Sequence, residues 1–256
     1  MYTIIVCICA GFGAGTVAGL AGISTATVVS PLLIALLGVN AYEALGISLA
    51  SDVLASGLSA AVYAKRGNVD FRRAVWVLLP AAVFTVLGSL VGYATPNGFL
   101  AFVSIGGTIV IGLKFLIKPV PDHNSSLSIM KGEAKMRAGH IVMGICIGAI
   151  CGFSGVGGGM MMLLVFTAVL GYDLKRAIGT SIFIMTFIAL LGAISHFAFI
   201  GQTNIRVLLL CMSSALAGAF LASKYANYVR GKSLNIAVGV CMTAMGILLF
   251  IIHFFL

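Results

Sequence analysis

Charge is the scarcest property of this chain. Only 8% of its 256 residues are charged and Asp and Glu together number six, against 61% hydrophobic residues and a mean hydropathy of +1.18. That composition cannot clothe a soluble fold of this length, so it excludes a water-soluble domain and requires an integral membrane protein whose largest partner is the lipid bilayer. A phosphate-binding P-loop sequence is missing, which excludes ATP as the driver. His123, His140, His196 and His253 share no metal-ligand spacing, so no metal and no other cofactor is expected. The six cysteines (Cys7, Cys9, Cys146, Cys151, Cys211, Cys241) stand in apolar segments outside any zinc or redox CxxC spacing and read as small packing residues. Cys151, beside Gly152, is the thiol next to a repeat glycine. The basic n-region of a signal peptide is also lacking from Met1-Tyr2-Thr3, so the first apolar segment is expected to be retained. The formal charge of +9 comes from basic residues in short loops and at helix ends. That distribution speaks for membrane topology and against a nucleic-acid partner.

What the sequence does hold is a repeat. Gly19, Gly38 and Gly46 are followed 133 residues later by Gly152, Gly171 and Gly179; Ala44 and Ser48 match Ala177 and Ser181 at the same offset. Two copies of one module in an apolar chain are the signature of a transporter or channel built from related halves. The halves are expected at 1–118 and 138–256, joined by a polar cytoplasmic linker at 119–137.

Apolar runs fall at 3–38, 44–64, 74–93, 98–117, 139–170, 177–199, 205–223 and 234–255. At ~1.5 Å per residue the run 3–38 would make a helix of ~54 Å against a hydrocarbon core of ~30 Å, so it must fold back. The same holds for 139–170, and matched glycine-rich points, GLAGIS at 19–24 and GFSGVGGG at 152–159, supply the turns. The expected fold is all-α and membrane-integral, each half being a hairpin of two short helices followed by three transmembrane helices.

Lys65, Arg66, Arg72 and Arg73 mark one loop as cytoplasmic, as do Lys175 with Arg176, and Lys224, Arg230 and Lys232; YATPNG at 93–98 and IGQTNI at 200–205 are uncharged and read as outside. Equivalent loops therefore lie on opposite sides, and the repeats are expected to be inverted, in an inner or plasma membrane with both termini outside.

The two turns, each followed at one distance by ALGIS (44–48) or AIGTS (177–181), make this chain resemble the TauE/SafE family of membrane exporters over nearly its whole length. The resemblance implies export of a small sulfur-containing anion such as sulfite or sulfoacetate, by alternating access. A helix that begins inside the membrane offers unpaired N–H groups and the positive end of its dipole, which suits an oxyanion. The expected substrate-binding residues are Gly19, Gly22, Ser24, Thr25, Ser48, Ser154, Gly155, Gly157, Gly158, Thr180 and Ser181, with Thr27 adding a hydroxyl. The alternative for each glycine is close helix packing. The first half departs from the second, with Ser24, Thr25 and Ala26 where the second has Gly157, Gly158 and Gly159.

Among the acidic residues only Asp52 lies well inside a span, on a stripe with Ser48, Ser51, Ser56 and Ser59. An intramembrane carboxyl is a candidate proton carrier; the alternative is a hydrogen bond that fixes helix register. Its repeat equivalent is Met185. His196, equivalent to Tyr63, reads as a hydrogen-bonding group at a pore rim. Two rival functions use the same features: a passive anion or small-solute channel, and an intramembrane serine protease with Ser154 as nucleophile and His196 as base. Oligomeric state is not written in the sequence. For an exporter, a cytoplasm-negative potential drives one negative charge outward by ~2.3 kcal/mol per 100 mV.

Overall fold

The structure is a computed structural model that describes residues 1–117, 133–155, 158–169, 172, 174–201, 203–225 and 231–255. Its elements are all helices: α1 (Tyr2–Ala21), α2 (Ala26–Leu37), α3 (Ala41–Lys65), α4 (Phe71–Tyr93), α5 (Asn97–Ile117), α6 (Glu133–Ser154), α7 (Gly158–Leu164) running on into a π-helical segment (Val165–Val169), α8 (Leu174–Ile200), α9 (Ile205–Tyr225) and α10 (Gly231–Phe255). Seven of them, α1, α3, α4, α5, α6, α8 and α9, are long and apolar enough to cross a membrane. This is a multi-pass membrane protein.

Both overlong runs break where expected. Gly22 (φ 70°) and Gly155 (φ 63°) take the left-handed conformation that ends α1 and α6 and that only glycine adopts without strain. One expectation needs correcting. The first arm of each hairpin is not short: α1 has 20 residues and α6 has 22, ~30 Å or more at ~1.5 Å per residue. The breaking glycine lies near the far end of a full helix, so only the returning arms, α2 and α7 with its π segment, are short. α6 also begins at Glu133, inside the segment assigned to the linker; the rest of that linker, 119–132, and Gly157 lie outside the described residues.

α2 carries Pro31, which has no N–H for the carbonyl of Thr27. The Thr108 hydroxyl of α5 donates to that carbonyl at 2.7 Å instead. Ser30 of α2 meets Ser104 of α5 at 2.8 Å. The short returning arm is thereby tied to α5 by side chains that satisfy its backbone.

The helices pack in matched pairs. α1 lies along α9 through Gly11, Gly15 and Gly19, whose missing side chains make room for the backbone of Cys211, Ala215 and Ala219. α6 lies along α4 through Gly144, Gly148 and Gly152, seated on Val77, Ala81 and Thr85. Each glycine of one triplet is 133 residues from its counterpart, and both are small-residue seams of the kind that bring membrane helices to backbone contact. At the centre, α3 and α8 run antiparallel. Gly46 near the start of α3 sits on His196 near the end of α8, and Gly179 near the start of α8 sits on Tyr63 near the end of α3.

Candidate functional site

The Ser24–Thr25 turn at the start of α2 is held by Asp52, the twelfth of 25 residues in α3. The Ser24 hydroxyl donates to Asp52 Oδ2 at 2.7 Å and the Thr25 backbone N–H to Oδ1 at 3.0 Å. Thr25 Oγ1 donates to the Ser48 carbonyl at 3.1 Å, and the Ala26 N–H reaches Ser24 Oγ at 3.3 Å. Asp52 is 1% exposed. A carboxylate here is a helix N-cap supplied from another helix, facing the positive end of the α2 dipole. The N–H group expected to await an anion already donates to a carboxyl oxygen.

The two turns meet. A side chain at Gly159 would press on the Gly22 carbonyl and the Ser24 N–H, Gly22 packs beside Ile178, Ile182 and Ser181 of α8, and Gly155 packs beside Leu45 of α3 and Ala26 of α2. The contacts of Gly22 with Ile178 and of Gly155 with Leu45 are equivalent under the 133-residue offset. Next to the turn is a cavity of about 10 Å³ lined by Gly22, Ser24, Asp52, Ser56, Ile182 and Met185, enough for about one water. Asp52 and its repeat equivalent Met185 thus line one space.

Of the residues expected from the sequence, Gly22, Ser24, Thr25, Ser48, Gly155, Ser181 and Asp52 come together here. Ser48 and Ser181 turn their hydroxyls to their own helices, onto Leu45 O and Ile178 O, each at 2.9 Å. Gly158 is close to Met185 Sδ and Cys151 Sγ, and Cys151 is fully buried within electrostatic reach of Asp52. Ser154 ends α6, its hydroxyl on Ile150 O at 2.9 Å. Two residues sit elsewhere. Gly19 is a packing residue on α9, and Thr180 accepts the Asp70 N–H at 3.0 Å, at the loop between α3 and α4. Gly159, Ser56 and Met185 also stand here; the sequence marked them as part of the glycine turn, the Asp52 stripe and the repeat offset but did not count them among the binding residues.

His196 is fully buried rather than at a rim. Its Nδ1 is 3.0 Å from Ser89 Oγ and 2.9 Å from Gly192 O, its ring stacks on Tyr42 at 4.2 Å, and Nε2 has no partner among the described residues. Tyr42 in turn lines a larger cavity of about 320 Å³, with Glu43, Tyr93, Asn97 and Phe199, at the end of the α3·α8 pair away from the basic loops.

The family model "Sulfite exporter TauE/SafE" matches residues 7–249, a range that holds both glycine turns and the spans around them. This chain belongs to the TauE/SafE family. Similar proteins include the probable membrane transporter protein YdhB of Bacillus subtilis, 23% identical over 92% of this chain and 95% of that one. Another, the probable membrane transporter protein ORF9 of a Sinorhizobium species, is 27% identical over 85% and 80%. A probable membrane transporter protein of Haemophilus influenzae is 30% identical over 78% and 75%. No solved structure matches. Family membership makes the chain a membrane transporter and fits a protein that is not an enzyme.

Proposed function

We propose that this protein exports a small sulfur-containing oxyanion, sulfite or an organosulfonate, by alternating access between two inverted halves of an inner or plasma membrane protein. The observation that carries the site is the Asp52 carboxylate on Ser24 Oγ and the Thr25 N–H. Those donors serve an oxyanion equally well, so substrate and Asp52 compete for them, and release of the carboxylate from the turn, by protonation or by movement, is the step that admits the anion. The described groups around Asp52 are Ser24, Thr25, Ser56, Met185 and, on α6, Cys151. The antiparallel α3·α8 pair supports the inverted reading, because equivalent helices that run oppositely are related by an axis in the membrane plane.

The test is uptake and counterflow of sulfite and sulfoacetate in proteoliposomes, wild type against Asp52→Asn. Saturation and counterflow are expected of a carrier; linear flux without counterflow is the behaviour of a channel. Asn keeps the shape but not the charge, so the half-saturating anion concentration is expected to fall about tenfold, the size of one charge-assisted hydrogen bond, and the pH dependence to flatten. A folded Asp52→Asn protein with wild-type affinity and pH profile returns Asp52 to a register-fixing role.

A further inference from the structure

The two ends of the central α3·α8 pair are built from equivalent residues and are closed differently. At the basic end the Asp70 side chain is 9% exposed. Its Oδ2 accepts hydrogen bonds from Arg176 Nη2 at 3.0 Å and from the Tyr172 hydroxyl at 3.1 Å, both in the other half of the chain. Oδ1 caps α4 through the Arg73 N–H at 3.2 Å, and Arg73 Nε stands 3.8 Å from the same carboxylate. Both guanidiniums lie over the Tyr172 ring, each 5.6 Å from its centroid. Burial pushes the Tyr172 phenol up to about 12, so the hydroxyl keeps the proton it donates. The loop of the first half is thus bound to the start of α8 by charge, hydrogen bond and ring.

The opposite end carries the counterparts. Arg176 corresponds to Glu43 and Tyr172 to Val39 at the 133-residue offset, and one backbone bond is equivalent: the Tyr172 N–H bonds Phe166 O at 2.8 Å as the Val39 N–H bonds Leu33 O at 3.2 Å. There, Glu43 reaches the start of α9 by one exposed hydrogen bond, from the Asn204 N–H at 3.1 Å. Beside it lies the cavity of about 320 Å³. One end has a tyrosine and a shared carboxylate; the other has a valine and open space.

We propose that Asp70, Tyr172 and Arg176 are the lock of a gate between the two halves on the basic side, shut in this structure, and that the cavity at Glu43 is the equivalent gate standing open. The inference rests on the alternating-access reading, in which one end must part as the other closes. The pairing suits a gate. Arg176 is half exposed (51%) while Asp70 is buried, so its bonds are charge-assisted yet within reach of water that can take them over.

The test reads accessibility, which needs no substrate and so separates failure of the gate from failure of the transport reading. In a background whose native cysteines are alanine, one reporter is Ala177→Cys, fully buried next to Arg176, and the other is Thr95→Cys, half-buried in the lining of the Glu43 cavity. A membrane-impermeant thiol reagent is applied to each side of oriented vesicles. Asp70→Asn keeps an N-cap residue for α4 and removes only the charge. It, and Arg176→Gln, are expected to raise labelling of Ala177→Cys from the basic side about tenfold or more, and to lower labelling of Thr95→Cys from the other side. Tyr172→Phe is expected to shift both in the same direction by less. Unchanged labelling in the single variants overturns the lock and leaves a packing tie. If Asp70→Asn does not fold, Arg176→Gln and Tyr172→Phe decide: wild-type labelling in both overturns the proposal.

Discussion

Gly22, Gly38 and Gly155 share the left-handed backbone, φ 70°, 62° and 63°, but differ in what surrounds them. A Cβ at Gly38 would meet nothing within 4 Å; one at Gly22 would stand 3.2 Å from Ile178 Cγ2, and one at Gly155 would stand 3.0 Å from Leu45 Cδ2. Alanine at any of the three costs about 1 kcal/mol of backbone strain. At Gly22 and Gly155 the side chain of Ile178 or Leu45 must also give by a few tenths of an ångström. Unfolding of the purified protein in detergent is therefore expected to show Gly38→Ala losing about 1 kcal/mol and Gly22→Ala and Gly155→Ala losing more. Equal losses at all three would mean that the turns are not wedged between α3 and α8. The residue-level reading of the sequence reached these turns because an apolar run too long for the bilayer must bend where glycine allows it. It did not reach the cap at Ser24 and Thr25, because the hydrogen bonds join residues 27 and 28 positions apart in sequence and no local pattern encodes them.

At the scale of helices, the same residue type does two jobs on one element. In α1, Gly15 lies against the backbone of Ala215, whereas a Cβ at Gly13 would meet nothing within 4 Å. Gly13→Ala is expected to be neutral or to stabilise by up to about 1 kcal/mol, since alanine is the better helix former. Gly15→Ala must separate α1 from α9 and is expected to destabilise, as is Gly148→Ala on the α6·α4 seam, where the side chain would collide with Ala81. Comparison of detergent unfolding midpoints checks this, and a Gly15→Ala protein as stable as Gly13→Ala would remove the seam as a source of packing. Composition alone could not sort the glycines of α1; the repeat offset could, because Gly11, Gly15 and Gly19 each have a glycine 133 residues on and Gly13 has Cys146. The helix boundaries were legible from apolar runs and charged ends. The unequal lengths of the hairpin arms were not, since both arms are apolar throughout and only the position of the turn glycine divides them.

The whole molecule is arranged about the α3·α8 pair, and its chief question is whether the two halves face opposite sides of the membrane. The sequence argued this from basic loops, and the antiparallel packing of α3 on α8 argues it independently. The loop at 66–70 follows α3 and the loop at 201–204 follows α8, so they emerge at opposite ends of one antiparallel pair. Halves related by an axis along the membrane normal would instead put equivalent loops on one side. Asn68→Cys and Thr203→Cys are expected to react with an impermeant thiol reagent from opposite faces of oriented vesicles, Asn68→Cys from the cytoplasmic face, and tags on both termini are expected on the face that exposes Thr203→Cys. Labelling of both cysteines from the same face would rule out inversion, and with it the equivalence between the Asp70 lock and the open cavity at Glu43.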